Sequence, residues 1–184
     1  ATACSICNKG AYCPNAVLQI QCPKGTFNDL EGETMATSCK NCSYGYIALS
    51  TGATSCSICN KGAYCQNAKS QILCPKGTFN NITGQTMATS CKNCSYGYVA
   101  LSTGATACSI CNKGAYCPNA KSQILCPKGT FNDLEGETMA TSCKNCSYGY
   151  VALSSGAKSC MICAPGTYCS SSSTQELCPA GKYG

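Results

Sequence analysis

The sequence predicts a chain of small disulfide-rich repeats: an elongated rod of short β-ribbons and loops with little or no helix. Three observations carry this. Cysteine occupies 22 of 184 positions, above the share at which a chain reads as a disulfide scaffold. A 52-residue pattern runs from Cys4 to Ser55, from Cys56 to Ala107 and from Cys108 to Ser159, with a shorter, more divergent copy from Cys160 to Gly184. Finally, three Phe, 11 Tyr and no Trp are spread along the chain, too thinly for one sizeable core, so covalent staples must stand in for burial.

A repeat period outranks other readings of a sequence. The first and third copies differ at six positions and the second and third at eight, so surface positions match as well as cysteines. That equivalence fits units that must match their neighbours in a regular array. Each copy holds six cysteines, in the second Cys56, Cys59, Cys65, Cys74, Cys91 and Cys94. The segments Cys59-Asn-Lys-Gly-Ala-Tyr and Cys74-Pro-Lys-Gly-Thr-Phe share one plan, a Cys followed by a Gly-centred turn and an aromatic. Gly supplies the positive φ such a turn needs, and the aromatic is expected to lie over a disulfide. The same plan returns at Cys94-Ser-Tyr-Gly-Tyr98. Residues 98–102 read as a short strand and 102–105 as the turn returning toward Cys108. Gly and Cys interrupt any 3.6-residue periodicity, so helix beyond about one turn is not expected.

The junction Cys91-Lys-Asn-Cys94, repeated at Cys39 to Cys42 and Cys143 to Cys146, organises the rest. Two cysteines this close do not readily bridge each other, so the first closes the loop behind it and the second opens the loop ahead. The favoured pairing is therefore sequential: Cys7 with Cys13, Cys22 with Cys39, Cys42 with Cys56, Cys59 with Cys65, Cys74 with Cys91, Cys94 with Cys108, Cys111 with Cys117, Cys126 with Cys143, Cys146 with Cys160 and Cys163 with Cys169. Cys4 and Cys178 are left for partners beyond the ends. An interlaced alternative, Cys59 with Cys74 and Cys65 with Cys91, stays open because six cysteines allow 15 connectivities. Asn41, Asn93 and Asn145 each precede a Cys-Ser pair and Asn81 precedes Ile82-Thr83. All four satisfy the N-x-[ST] rule for N-linked glycans. The junction asparagines are expected on a surface turn between two bonded cysteines.

Composition excludes several functions. All 13 basic residues are Lys, against seven acids, without the Arg clusters and stacking aromatics of a nucleic-acid binder. No His is present, so neither a Ser-His-Asp nor a Cys-His set can be assembled, and an enzyme is not expected. No apolar run approaches the roughly 20 residues of a membrane span, and no signal-peptide pattern is present. The chain reads as a piece of a longer secreted protein. Cysteines at this density persist as disulfides only in an oxidising compartment, so the expected location is extracellular, secreted or at the cell surface.

Three features of the sequence have the look of ligand sites. Cys39-x-x-Cys42 and Cys56-x-x-Cys59, 13 residues apart, approach zinc-ribbon spacing. Zinc there would strand Cys65 and Cys74 in every repeat, so no metal or cofactor is expected. Asp29, Glu31 and Glu33, matched by Asp133, Glu135 and Glu137, alternate around a Gly at a spacing compatible with Ca2+ ligands, but a full site needs six to eight oxygens. The second copy has Asn81, Thr83 and Gln85 instead, so a solvated acidic hairpin tip is preferred. Tyr pairs such as Tyr44 and Tyr46 are read as lids on disulfides rather than as a binding stripe.

The strings Cys163-Ala-Pro-Gly-Thr-Tyr-Cys169 and Cys178-Pro-Ala-Gly-Lys-Tyr183, with Cys-Pro-Lys-Gly-Thr-Phe followed by Cys-x-x-Cys and Ser-Thr-Gly-Ala, resemble the ephrin-receptor-like cysteine-rich repeat, which is similar in style to the tumour-necrosis-factor-receptor module. Asn after Cys7, Cys59 and Cys111, and Ser after Cys42, Cys94 and Cys146, replace the usual Pro. The resemblance implies extracellular disulfide-rich modules and is nearly silent on function. The expectation is a structural, glycosylated repeat protein forming a rod or surface filament, with N-linked glycans and neighbouring copies or further repeats of the same protein as partners. The alternative is a receptor or adhesin ectodomain in which the repeats serve as stalk or ligand-binding modules.

Overall fold

The computed structural model describes residues 4–182. Among them there is no α-helix, only a single 3-10 turn in each full repeat, such as Ala36–Ser38. Every sheet is an antiparallel pair of strands. The predicted class, small disulfide-rich β-ribbon repeats, is the observed one.

The longest ribbons of the three full repeats are hairpins, Ala11–Asn15 with Leu18–Gln21 and its counterparts Ala63–Asn67 with Ser70–Leu73 and Ala115–Asn119 with Ser122–Leu125. Their tips are Asx turns. Asn15 Oδ1 accepts the Val17 and Leu18 amides at 3.0 Å, and Asn67 Oδ1 accepts the Lys69 amide at 2.9 Å, an alternative to ladder bonding that Asn offers cheaply. The other ribbons are two-residue pairs: Thr26–Phe27 with Lys40–Asn41, and Tyr46–Ile47 with Ser57–Ile58.

The predicted strand over 98–102 is limited to Tyr98–Val99, paired with Ser109–Ile110. It stops because the next residue bonds two other segments. The Ala100 amide donates to Ala120 O, and its carbonyl accepts from Gly77 N, both at 2.9 Å.

A ladder connects the Cys-x-x-Gly turns. The amide of each turn's Cys donates to the carbonyl of the preceding turn's Gly. In one group Cys22 donates to Gly10, Cys42 to Gly25, Cys59 to Gly45 and Cys74 to Gly62, at 2.8–3.0 Å. In another, Cys94 donates to Gly77, Cys111 to Gly97, Cys126 to Gly114, Cys146 to Gly129, Cys163 to Gly149 and Cys178 to Gly166, at 2.8–3.1 Å. The 52-residue period therefore holds three turns of one kind. At Gly62 the turn can be nothing else: φ is +76°, and a Cβ would lie 2.1 Å from Gly104 O.

The chain groups into two compact units: Ala1–Pro75 with Phe79–Lys92 and Thr103–Ala107, and Lys76–Thr78 with Asn93–Ser102 and Cys108–Gly184. The division falls inside the second repeat for a bonding reason. Cys91 bonds back to Cys74, and Asn80 bonds Gly62 and Ala105, which ties 79–92 and 103–107 to the earlier segments. Cys94 bonds forward to Cys108, and Gly77 bonds Ala100 and Cys94, which ties 76–78 and 93–102 to the later ones.

The apolar part of the buried interior is cystine, alanine and single aliphatic residues. Cys22, Cys59, Cys74, Cys111 and Cys126 are inaccessible. Ile47 packs with Cys59 and Cys65, and Val99 with Cys111 and Cys117.

Candidate functional site

The cysteines build the site. Ten disulfides close loops of three recurring sizes, with sequence separations of 6, 17 and 14. They join Cys7 to Cys13, Cys22 to Cys39, Cys42 to Cys56, Cys59 to Cys65, Cys74 to Cys91, Cys94 to Cys108, Cys111 to Cys117, Cys126 to Cys143, Cys146 to Cys160 and Cys163 to Cys169. This is the sequential order. Cα–Cα separations of 5.4–6.1 Å lie in the range a disulfide accommodates. Cys4 and Cys178 form no disulfide here. The four cysteines of the zinc-like spacing are all taken up by disulfides: Cys39 with Cys22, Cys42 with Cys56, and Cys59 with Cys65.

Between the two cysteines of each junction the chain is strand rather than turn. Asn41 pairs in register with Thr26 and Asn145 with Thr130, while Asn93 occupies the equivalent strand Lys92–Asn93. The short ribbon forms because Cys39 is held back by Cys22 while the Cys42 amide is held by Gly25 O at 3.0 Å, which stretches the two residues between them. All three asparagines are exposed, as is Asn81.

The acidic tips carry internal partners. Lys40 Nζ lies 3.2 Å from Asp29 Oδ1, and Lys144 Nζ lies 3.4 Å from Asp133 Oδ1. The Lys40 ammonium, helped by a local backbone bond and by the charges of Lys40 and Lys9, holds the Asp29 carboxyl below the usual aspartate value. Ser38 donates to Glu33 and Ser142 to Glu137. In the second repeat Ser90 donates to Gln85 Oε1 at 2.8 Å, so this contact survives loss of the charge. Among the described residues no group of three or more metal-ligating side chains is brought together.

The expected tyrosine lids are not formed by the junction tyrosines. Tyr44, Tyr96 and Tyr148 stand out from the surface at 88%, 84% and 105% exposure. Tyr96 Oη accepts from the Thr138 hydroxyl at 2.8 Å. The six-residue disulfides are covered instead by Ile47 and Val99, one residue beyond Tyr46 and Tyr98. Alternation along the strand puts the aliphatic side chain inward and the tyrosine beside it outward.

Sequence reasoning passed over Asn28, Asn80 and Asn132, which are the buried polar residues. Asn28 Nδ2 donates to Ala11 O at 2.8 Å and its Oδ1 accepts the Leu30 amide at 3.0 Å. Its own amide donates to Ala53 O and its carbonyl accepts from Gly10 N. Asn80 and Asn132 repeat all four bonds with Ala63, Ile82, Ala105 and Gly62, and with Ala115, Leu134, Ala157 and Gly114. The available signal was the Thr-Phe-Asn triplet kept in all three copies.

No helix among the described residues is long and apolar enough to cross a membrane. No protein-family model matches the sequence, and no curated protein matches it.

Proposed function

We propose that the chain is a segment of an extracellular, glycosylated structural protein, related in style to ephrin-receptor-like repeats, that builds a rod or surface filament rather than catalysing a reaction. The observation that carries this is the equivalence of successive junctions. Cys42 to Cys56 and Cys94 to Cys108 bond one repeat to the next with the same spacing, and the same amide bonds accompany them, Ala48 to Ala68 O and Ala100 to Ala120 O at 2.9 Å. A repeat that touches mainly its neighbours propagates along one axis. In the chain-entropy model a loop of about 15 residues contributes roughly 3 kcal/mol, enough to hold a module whose interior is mostly cystine. The carbohydrate of the proposal sits on Asn41, Asn81, Asn93 and Asn145.

Small-angle scattering and negative-stain imaging of native material test the shape. An axial advance on the order of 40 to 55 Å per repeat is expected if each repeat folds back about three times. A maximum dimension below about 60 Å for this segment overturns the rod. Intact mass before and after enzymatic deglycosylation tests the glycans, and an unchanged mass removes them from the account.

A receptor or adhesin ectodomain is the second reading. The distinctive stretch 81–85 of the second repeat favours it, since a ligand site commonly resides in one divergent module.

A further inference from the structure

We propose that the second repeat binds an acidic polysaccharide, with Lys61 and Lys92 taking its carboxylate or sulfate group at the place that Asp29 fills in the first repeat. The net charge of the chain is unevenly placed. The first repeat has three lysines and three acids, whereas the second has Lys61, Lys69, Lys76 and Lys92 and no Asp or Glu at all. In the first repeat Lys40 bonds the carboxylate of Asp29 at 3.2 Å, and the Gly10 amide, 2.8 Å from Asn28 O, holds the turn that carries Lys9 beside the same loop.

The second repeat keeps this backbone and removes the anion. Asn80 is anchored by the bonds that anchor Asn28, at 2.7 Å to Ala63 O and 3.1 Å to Ala105 O. Gly84 N bonds Cys59 O and Cys65 N bonds Gln85 O, both at 2.8 Å, as Gly32 and Cys13 bond Cys7 and Glu33. Lys61 and Lys92 hold the backbone positions of Lys9 and Lys40, and both are exposed. Asn81, a neutral residue, replaces the aspartate. The lysine that pairs with Asp29 in the first repeat thus has a counterpart in the second, Lys92, with no carboxylate in its own repeat, and Lys61 lies in the turn held beside the same loop, an arrangement that favours an outside anion.

A polymer fits better than a second copy of this chain. The acidic tips of the first and third repeats already spend Asp29 and Asp133 on lysines and Glu33 and Glu137 on serines. Of the tip carboxylates that leaves Glu31 and Glu135 to offer a neighbour, and the remaining acid, Glu176, already accepts from Tyr168 and Ser170. A polyanion supplies many charges and gains from counterion release along its length. The choice of polysaccharide over nucleic acid rests on the extracellular reading.

The probe is immobilised heparin, with the protein loaded at about 50 mM NaCl, where exposed charges are weakly screened. Native protein is expected to be retained and to elute in a salt gradient. Asn81→Asp with Thr83→Glu and Gln85→Glu installs the side chains of the first and third repeats, which this backbone already accommodates. It is expected to lower affinity by about tenfold or more, as is Lys61→Gln with Lys92→Gln. Lys113→Gln with Lys128→Gln and Lys158→Thr removes as much net charge from the third repeat and is expected to cost less than about threefold. Thr83→Ala removes the sequon, and with it the glycan proposed for Asn81, without changing charge, and is expected to bind at least as tightly as native protein. Equal losses from the second- and third-repeat variants, or no retention of native protein, overturn the proposal. Salt-sensitive self-association in sedimentation velocity, abolished by the acidic variant, overturns it in favour of a second copy. None of these outcomes bears on the rod, which scattering tests separately.

Discussion

Residues 29–33 and 81–85 occupy equivalent loops built on the same frame, yet share almost no chemistry. Asp29, Glu31 and Glu33 give the first repeat an acidic tip with an ion pair to Lys40, while Asn81, Thr83 and Gln85 give the second a neutral one. What stays constant lies immediately before the loop and across from it. Asn28 and Asn80 make the same four hydrogen bonds, and Gly10 and Gly62 make the same close approach to Gly52 and Gly104. The difference teaches that the loop backbone is set by its anchors and disulfides, leaving the side chains between them free to carry a different function in each repeat.

The sharpest way to break that comparison is Gly62→Ala. A methyl group 2.1 Å from Gly104 O forces two backbone segments apart, and the positive φ adds strain, so a loss of more than about 4 kcal/mol is expected. Gly114→Ala, facing Gly156 O at 2.1 Å, should match it in a denaturant melt. A mild effect at either site means that the turn is not fixed by this contact.

Next comes the anchor itself. Asn80→Ala leaves Ala63 O and the Ile82 amide without their partner, and Asn132→Ala does the same to Ala115 O and the Leu134 amide. Each is expected to cost about 3 kcal/mol, because unsatisfied buried groups lose their desolvation energy in full. The two melts should agree although the loops they support differ in charge. A clear disagreement shows that the loop sequence contributes to the frame.

The smallest effect isolates the loops. Asp29 titrates below its ordinary value of 3.8 because of its hydrogen bond from Lys40, a local backbone bond and, least, the charge of Lys9. With its folded pKa depressed, its contribution to stability is present above the unfolded value and is lost as pH falls through the lower folded one. The second repeat, with Asn81 there, has no such dependence. Carboxyl 13C shifts followed below pH 5 measure it, and a midpoint at or above 3.8 removes the electrostatic difference between the loops. In stability the pair is a surface ion pair and counts for little.

The repeat period, the cystine class and the Gly-centred turns were legible in the spacing of Cys and Gly, which also favoured the sequential staples over the interlaced ones. These are local constraints: a Cys-x-x-Cys pair and a turn needing positive φ act over a few residues of chain. Three features needed the folded chain. Asn28 shows its buried role only once Ala11 O, 17 residues earlier, is brought against its side chain. Tyr46 and Ile47 are adjacent in sequence, and which of them covers the Cys59 to Cys65 disulfide depends on the face their short ribbon with Ser57–Ile58 turns inward. The junction asparagines became strand because a disulfide pulls one end and the Gly25 carbonyl, or its equivalent, holds the other. Covalent spacing by itself favoured the sequential loops, and the fold decided them against the interlaced ones. Where each loop's side chains point was decided by hydrogen bonds between segments that only the tertiary structure brings within reach.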